Sequence, residues 1–422
     1  MRWIHAAGRG LLVLAVVLAG YGGTGAHADG GSRGRGPLTL ATGGDLTGYL
    51  GSLLQGWNRA HPAERVTLVE LPDSPDETRA QMITDLRDGG HGRFDVLNID
   101  VAWTSEFAAA DWIRPLPRDR FPLGSFLPPV VDTATYDGQL YAVPYVTNAG
   151  LLLYRKDILA AEGVPAPRTW AELERDAKTI APRHGLDGYA GQFLPYEGLT
   201  VNAAEAVYSA GGTILGDEGD RVTVGSAARE GIGFLARGVR EGWVPKEALT
   251  YTEEESRRAF QDGRLLFLRN WPYAYVSASA AGSAVAGKVG AVPLPGPDGP
   301  GTSVLGGSNL AVTTHAAHPE TAARLIAYLT SEGVQRQVLQ KGALPPVRAD
   351  LYEDPELVRK FPYLPTLRAS VLAAAPRPKS PRYDQVSLVV QAVVHDAMTG
   401  HTTPAAAVRR LARELAEIAR RG

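Results

Sequence analysis

The sequence predicts an α/β protein with two lobes. Its 422 residues exceed what a single hydrophobic core usually organises, so we expect two cores. Between residues 38 and 113, short apolar runs alternate with segments whose apolar residues recur at helical spacing. Such β-α-β-α alternation is typical of parallel sheets covered by helices. We therefore predict that each lobe is a mostly parallel sheet flanked by helices.

The first elements follow one another closely along the chain. Strands are predicted at residues 38–42 and 66–71, where apolar runs are too short for helices. The helix between them is predicted from apolar residues at i, i+3, i+4 and i+7, namely Leu50, Leu53, Leu54 and Trp57. Two capping boxes predict further helix starts, at Ser74-Pro75-Asp76-Glu77 and Thr169-Trp170-Ala171-Glu172.

The turn after the third predicted strand is the first candidate binding feature. The apolar run 94–99 predicts a buried strand that ends at Asp100, and helical spacing resumes from Trp103. Ligands of open α/β sheets bind at the carboxyl ends of the strands. A carboxylate beside a flat ring suits a sugar, because a pyranose presents both hydroxyls and an apolar face.

The rest of the chain continues the alternation. Asp137-Gly138 predicts a hairpin turn, and the Pro- and Gly-rich run 293–300 predicts a connector. Further strands are predicted at 151–154, 189–193, 265–269 and 304–312. Further helices are predicted at 199–210, 226–241 and 253–262, and from Pro319, Glu332 and Thr403-Pro404.

Composition and motifs exclude several classes of protein. A formal net charge of -2 provides no broad basic field, so we expect no nucleic-acid partner. The mean hydropathy of -0.12 argues against a multi-span membrane protein. The chain has no Cys, and His315 and His318 have no third ligand nearby, so we expect neither metal nor cofactor. Hydrolase and phosphate-loop motifs are missing, although carboxylates are plentiful enough for a glycosidase pair.

Residues 1–28 have the pattern of a cleaved secretory signal. Arg2 and Arg9 form the positive region that precedes an apolar core at 10–20, and Ala26-His27-Ala28 fits a cleavage site. We expect export of a chain that begins at Asp29.

Lipid attachment is not expected. Leu18-Ala19-Gly20-Tyr21 matches a lipobox except that Tyr21 stands where the acylated Cys is required. The small, polar residues 29–37 predict a flexible linker after the cleavage site.

The following segments, taken together, are specific in their order and spacing: FDVLNIDVAWTSEFAAADWI, LYAVPY followed by AGLLLYRKDIL, PRTWAEL, PYEGLTVNAAEAVYSAGG, LLFLRNWPYAY and LGGSNLAVTTHAAHPETAARLIAYLTSEGVQ. They resemble segments of the extracellular solute-binding proteins of carbohydrate ABC importers, in the branch of maltose- and trehalose-binding proteins. The resemblance covers essentially the whole chain after the signal, and PYEGLTVN in particular resembles the trehalose-binding branch.

The resemblance implies a periplasmic-binding-protein-like fold, in which hinge strands join two lobes that close over a sugar. Lobe I is expected to comprise residues 38–146 and 302–345, and lobe II residues 147–301 and 346–422. The implied binding positions are Asp45, Asp100, Trp103, Asn148, Tyr196, Glu197, Trp271, Gly306, Gly307, Ser308 and Arg382. The implied partners are a small trehalose- or maltose-like oligosaccharide and the membrane subunits of an ABC permease, with the protein itself a secreted monomer.

The binding positions also have structural interpretations. Relatives often carry Trp where this chain has Ser308, so one apolar platform is missing here. The alternative interpretation of Trp103 and Trp271 is as core aromatics, and that of Asp100 is as a helix N-cap; the binding role is favoured for Trp271, which lies just outside a buried strand and before a proline. Asn148 has an alternative explanation as a turn residue, and Glu197 as a carboxylate that interacts with the dipole of a helix N-terminus. The alternative for Arg382 is a solvated surface charge.

Three functions therefore remain open from the sequence. The first is a sugar-binding module that serves an importer. The second is an enzyme acting on glycans, which needs two inward carboxylates about 5 to 9.5 Å apart. The third is a secreted sugar sensor that uses the same cleft without transport.

Overall fold

The computed structural model describes residues 34–44, 48–87, 92–216, 219 and 221–420. The described residues all belong to one unit, Gly34–Gly422. The predicted signal peptide, Tyr21 and the candidate binding residue Asp45 lie outside them. Within the described part of the chain, no helix is both long and apolar enough to cross a membrane.

Two mixed sheets and one small hairpin contain the strands. The first sheet has the order β2-β1-β3-β11-β6, the second has the order β10-β7-β9-β8, and β4 pairs with β5. The strands are β1 Leu38–Thr42, β2 Val66–Glu70, β3 Val96–Asp100, β4 Thr135–Tyr136, β5 Gln139–Leu140, β6 Ala142–Ala149, β7 Leu151–Arg155, β8 Asp187–Ala190, β9 Leu265–Asn270, β10 Val289–Pro293 and β11 Leu305–Val312.

Helices cover these sheets, as predicted for an α/β protein. They are α1 Tyr49–Ala60, α2 Pro75–Leu86, α3 Thr104–Ala109, α4 Pro128–Thr133, α5 Lys156–Ala161, α6 Trp170–Thr179, α7 Glu197–Ser209, α8 Ser226–Arg240, α9 Glu253–Gln261, α10 Tyr273–Ser279, α11 Pro319–Leu329, α12 Glu332–Gly342, α13 Pro355–Lys360, α14 Leu364–Leu372, α15 Tyr383–Met398 and α16 Pro404–Ala419. Short 3-10 turns occur at Arg118–Arg120, Leu123–Ser125, Ala181–His184, Lys246–Thr250 and Ala349–Tyr352.

The fold class is confirmed, but the prediction of mostly parallel sheets is wrong. In the first sheet, β1 is parallel to β2 and β3, whereas β11 runs antiparallel to both β3 and β6. In the second sheet, only β8 and β9 are parallel. In the first sheet the difference arises because β11 pairs with β3 and β6, which lie far earlier in the chain, and local periodicity does not encode such a pairing.

The two sheets define the two lobes. We call the first sheet with its packed helices lobe I, and the second sheet with its packed helices lobe II. The chain leaves lobe I at Gly150, between β6 and β7, and returns through residues 294–304, between β10 and β11. We call these the first and second connections. They lie within a few residues of the sequence-predicted lobe boundaries, which themselves stay predictions.

The last helices also divide between the lobes. α14 packs against both β6 and β10, whereas α15 packs on α7 and α8, and α16 packs on α8. The loop from α14 to α15 is therefore carried across the junction between the lobes.

Of the two capping boxes predicted from the sequence, the structure contains one. The capping box of α6 is confirmed, because Thr169 Oγ1 accepts from the Glu172 backbone N–H at 3.2 Å and the Glu172 carboxylate accepts in return at 3.0 Å. α2 begins at Pro75 as predicted, but the Ser74 side chain makes no capping hydrogen bond. The capping box predicted at Ser74 is therefore wrong.

The predicted linker is ordered where it is described. Arg35 forms an ion pair with Glu64, and the Gly36 backbone N–H donates to Thr321 Oγ1 at 3.1 Å. Gly34 O accepts from the Glu320 backbone N–H at 3.0 Å, at the start of α11. The described part of the predicted linker, from Gly34, is therefore fastened to lobe I rather than flexible.

Gly307 is expected to be intolerant of any side chain. Its φ is +109°, and an added Cβ would lie 2.7 Å from Thr147 Cα and overlap Val146 O. We expect Gly307→Ala to lower the free energy of unfolding by at least about 2 kcal/mol, since backbone strain adds to steric overlap. Urea denaturation monitored by circular dichroism measures the change.

The matched control is Gly51→Ala, within α1. A Cβ at Gly51 meets no atom within 4 Å, so the substitution is expected to raise helix stability by about 0.5–1 kcal/mol. Equal effects of the two substitutions would contradict the assigned backbone strain at Gly307.

Candidate functional site

One stretch of β11 brings several predicted site residues together. Ser308 pairs with Asp100 of β3, and Gly306 pairs with Asn148 of β6. Gly307 lies between Gly306 and Ser308, and its carbonyl accepts a hydrogen bond from the Val101 backbone N–H at 3.3 Å. This edge of lobe I therefore gathers predicted binding residues from three strands, as expected where open sheets hold ligands.

The Trp271 ring meets this edge from lobe II. Trp271 follows the last residue of β9, is half-buried, and its backbone N–H donates to Asn270 Oδ1 at 2.7 Å. A Cβ at Gly306 would lie 2.8 Å from Trp271 Cη2 and 3.3 Å from Asn148 Cβ. Only glycine lets the indole approach the strand so closely.

Glu253 links Trp271 to Tyr196. The Trp271 indole N–H lies 3.4 Å from Glu253 Oε1, and the Tyr196 hydroxyl donates to the other carboxylate oxygen. Burial and the nearby Glu253 charge raise the pKa of the Tyr196 phenol, so it keeps its proton and remains a donor. Tyr196 and Trp271 are thus held as neighbours on the lobe II side.

Arg377 joins the two lobes at the same site. Its guanidinium, 1% exposed, bonds to Asp100 of lobe I through Nη2 and to Glu197 of α7 through Nη1 at 2.5 Å. Glu197 also accepts from the Tyr383 hydroxyl and from Ser387 Oγ at 2.6 Å. One buried cation therefore pairs with a carboxylate from each lobe.

The electrostatics of this bridge favour a permanently charged arginine. Burial alone would lower the pKa of the Arg377 guanidinium, but Asp100, Tyr383 and Glu197 outweigh it and raise the pKa well above its ordinary value. Burial raises the pKa of the Glu197 carboxyl, and the attraction of Arg377 opposes this rise. The bridge thus depends on both carboxylates remaining close to Arg377.

More polar contacts cross between the lobes around Arg377. Arg79 of α2, which pairs with Glu106 within its own lobe, lies 3.4 Å from Asp384 of α15. Lys379, in the loop before α15, pairs with Asp132 of α4 at 2.7 Å. These pairs are more exposed than the Arg377 bridge, so each is expected to contribute less to closure.

Two predicted site residues occupy other positions. Trp103 is 4% exposed and stacks on Phe107 at a centroid separation of 6.2 Å, which agrees with its structural interpretation as a core aromatic. Arg382 precedes α15, and its backbone N–H donates to Ser380 Oγ at 3.2 Å. The arginine that contacts Asp100 and Glu197 is Arg377, not Arg382.

Sequence reasoning missed Arg377 and Glu253. Arg377 lies between two prolines in PRPKSPR, a segment that contains Arg382 as well, and nothing local distinguishes the two arginines. Glu253 begins a run of three glutamates at the start of α9, a position that a helix dipole alone would explain.

The contacts, together with the chain links between Tyr196 and Glu197 and between Gly306 and Ser308, form a closed circuit that we call the cleft ring. It runs through these residues in order: Asp100, Arg377, Glu197, Tyr196, Glu253, Trp271, Gly306 and Ser308. Carboxylates accept hydrogen bonds from hydroxyl groups, a guanidinium donates hydrogen bonds to hydroxyl oxygens, and an indole offers an apolar face. Among the described residues, no group of three or more His, Asp or Glu is placed to hold a metal ion.

Comparison with known proteins identifies the family of this chain. Residues 43–336 match the family described as bacterial extracellular solute-binding protein. A probable ABC transporter-binding protein of Deinococcus radiodurans is 33% identical over 369 residues, which span 85% of this chain and 87% of the relative.

Solved structures share the fold across almost its full length. Maltose-bound MalE3 of T. maritima has a TM-score of 0.84 and 35% identity, covering 90% of this chain and 99% of that chain. A solute-binding protein of Thermotoga lettingae bound with alpha-D-tagatose has a TM-score of 0.81 and 25% identity, covering 91% and 100%. This chain belongs to the family of bacterial extracellular solute-binding proteins.

Proposed function

We propose that this protein captures a small oligosaccharide between its lobes and delivers it to the membrane subunits of an ABC permease. The observation that carries the proposal is the cleft ring, to which both lobes contribute hydroxyl-bonding groups and one lobe an aromatic ring. A ligand that contacts both lobes favours the closed arrangement over the open one, because it binds the closed state more tightly.

The chemistry of the ring supports a sugar over other small solutes. Asp100, whose side chain is 23% exposed, accepts hydrogen bonds from hydroxyls, while the buried Arg377 and Glu197 hold it in position. Trp271 offers a face for the apolar side of a pyranose. An amino acid ligand would need a dedicated anion site and a dedicated ammonium site, and here Arg377 is already paired with two carboxylates.

The sugar class is narrowed by the relatives. The 35%-identical structure contains maltose, which supports a ligand with two glucose units. The 25%-identical structure contains alpha-D-tagatose, which supports testing a monosaccharide as well. A trehalose- or maltose-like disaccharide is our proposed ligand, with secretion, a monomeric state and docking on a permease as further parts of the proposal.

The glycosidase alternative conflicts with how the inward carboxylates are held. A glycosidase needs one carboxyl to protonate the leaving group and a second to attack or to activate water. Asp100 and Glu197 instead share Arg377, and Glu197 accepts two further hydroxyl donors. These bonds favour a binding role for both carboxylates.

Titration calorimetry with trehalose, maltose and tagatose tests the proposed function. We expect micromolar or tighter binding of one disaccharide, with a one-to-one stoichiometry and no release of glucose on prolonged incubation. Glucose release would support the enzyme alternative. Absence of binding to every sugar in the panel would contradict the proposal.

A further inference from the structure

A buried ion pair lies directly beneath the cleft ring in lobe II. Arg269 of β9 and Glu205 of α7 form two parallel hydrogen bonds, each 2.6 Å long, with side chains 1% and 5% exposed. Arg269 Nη1 also donates to Gln192 Oε1 at 2.9 Å. The forked geometry fixes the plane of the guanidinium, which a lysine in its place would not do.

The same carboxylate contacts both connections between the lobes. Glu205 Oε1 accepts from Ser303 Oγ at 3.1 Å and from the Val304 backbone N–H at 3.3 Å, both near the end of the second connection. Ser303 Oγ in turn accepts from the backbone N–H of Gly150, the first connection, at 2.6 Å. Glu205 is therefore hydrogen-bonded directly to the end of the second connection and, through Ser303, to the first.

The first connection approaches the pair so closely that only glycine fits. A Cβ at Gly150 would lie 2.7 Å from Arg269 Nη2 and would overlap Glu205 Oε1. The backbone of the first connection is therefore packed against the ion pair itself.

The other side of the guanidinium faces the Trp271 ring. The Arg269 guanidinium carbon lies 4.1 Å from the centroid of the indole, within the range of a cation–π contact. The Arg269 guanidinium therefore supports one face of the Trp271 ring, and we call it the floor of the ring. Glu253 contacts the indole at its N–H, and Gly306 contacts it at its edge.

We propose that Arg269 and Glu205 are positioning residues, which fix the orientation of Trp271 and tie it to the two connections between the lobes. The inference rests on the proposed function in one respect, that Trp271 stacks on the sugar. Lobe movement would then change the support under the stacking ring, so that the ring is best oriented when both connections hold Ser303 against Glu205.

Two variants test the two halves of this proposal. Arg269→Lys keeps the buried positive charge but removes the planar floor and the fork. Ser303→Ala removes the hydroxyl that joins Gly150 to Glu205 and leaves the ion pair intact. The control is Ser209→Ala. The Ser209 hydroxyl accepts from the backbone N–H of Thr302, the residue before Ser303, at 2.9 Å, and among the residues that the structure describes it makes no hydrogen bond to Glu205.

The first readout needs no sugar. Acrylamide quenching of Trp271, isolated by subtracting the signal of Trp271→Phe, is expected to rise at least about twofold in Arg269→Lys and Ser303→Ala. The second readout is maltose or trehalose affinity, expected to fall about tenfold in Arg269→Lys and about threefold in Ser303→Ala. Ser209→Ala is expected to match the parent within about twofold in both readouts.

The outcomes separate this inference from the proposed function. Unchanged quenching in Ser303→Ala would refute the tie to the connections, and unchanged quenching in folded Arg269→Lys would refute the floor. If Arg269→Lys fails to fold, Ser303→Ala still decides the inference, because its ion pair remains complete. Raised quenching in a protein that binds no sugar would support positioning of Trp271 while contradicting the proposed function.

Discussion

Replacing Trp271 with alanine is expected to weaken sugar binding by at least about 100-fold, or about 2.7 kcal/mol. Stacking a pyranose on the indole removes apolar surface from water at about 25 cal/mol per Å², and buried Trp residues often dominate binding energy. The substitution also removes one of the hydrogen-bond partners of Glu253 and uncovers Arg269. Calorimetry of the variant against the parent, with the sugar that the parent binds, measures the loss.

Trp112→Ala is the matched control for this substitution. Trp112 is half-buried like Trp271, but it packs edge-on against Phe107 at 5.5 Å and lies under Arg87. None of these residues belongs to the cleft ring, so we expect affinity within about twofold of the parent. Equal affinity for Trp271→Ala and the parent would show that Trp271 does not contribute to sugar binding.

Much of the fold could be predicted because its signals are local. The third strand stops at Asp100 where the apolar run stops, and α6 begins at the capping box that the sequence displays. The hairpin turn at Asp137-Gly138 is confirmed by positive φ values at both residues, which type I′ turns require.

Elements defined by distant pairing were harder to predict. β10 was not predicted, because its five residues adjoin the Pro- and Gly-rich run and become a strand only by pairing with β7. β8 ends at Ala190 rather than at the predicted residue 193, since its length is set by its pairing with β9. The helices α13, α14 and α15 were also not predicted.

The candidate site shows the same limit more sharply. Asp100 and Trp271 could be singled out, because each follows a buried strand and carries suitable chemistry. Arg377 lies 277 residues from Asp100 and 180 residues from Glu197 along the chain. Whether Arg377 or Arg382 reaches these carboxylates depends on how the loop before α15 crosses the junction, which no local pattern specifies.

Arg377→Met is expected to have the second large effect, on both binding and closure. The substitution leaves Asp100 and the buried Glu197 without their shared cation, and breaking a buried ion pair typically costs about 3–5 kcal/mol. The carboxylates then repel each other, so the lobes are expected to separate. We expect a lower melting temperature, a larger radius of gyration by small-angle scattering without sugar, and binding at least about 100-fold weaker.

Arg382→Met is the informative comparison, because it removes a positive charge only five residues farther along the same loop and helix start. If Arg377 provides the bridge between the lobes, Arg382→Met must weaken binding less than Arg377→Met and must leave the radius of gyration closer to that of the parent. A larger loss of affinity in Arg382→Met would instead restore Arg382 as the sugar-binding arginine. In that case the Arg377 bridge would hold the lobes together without contacting the ligand.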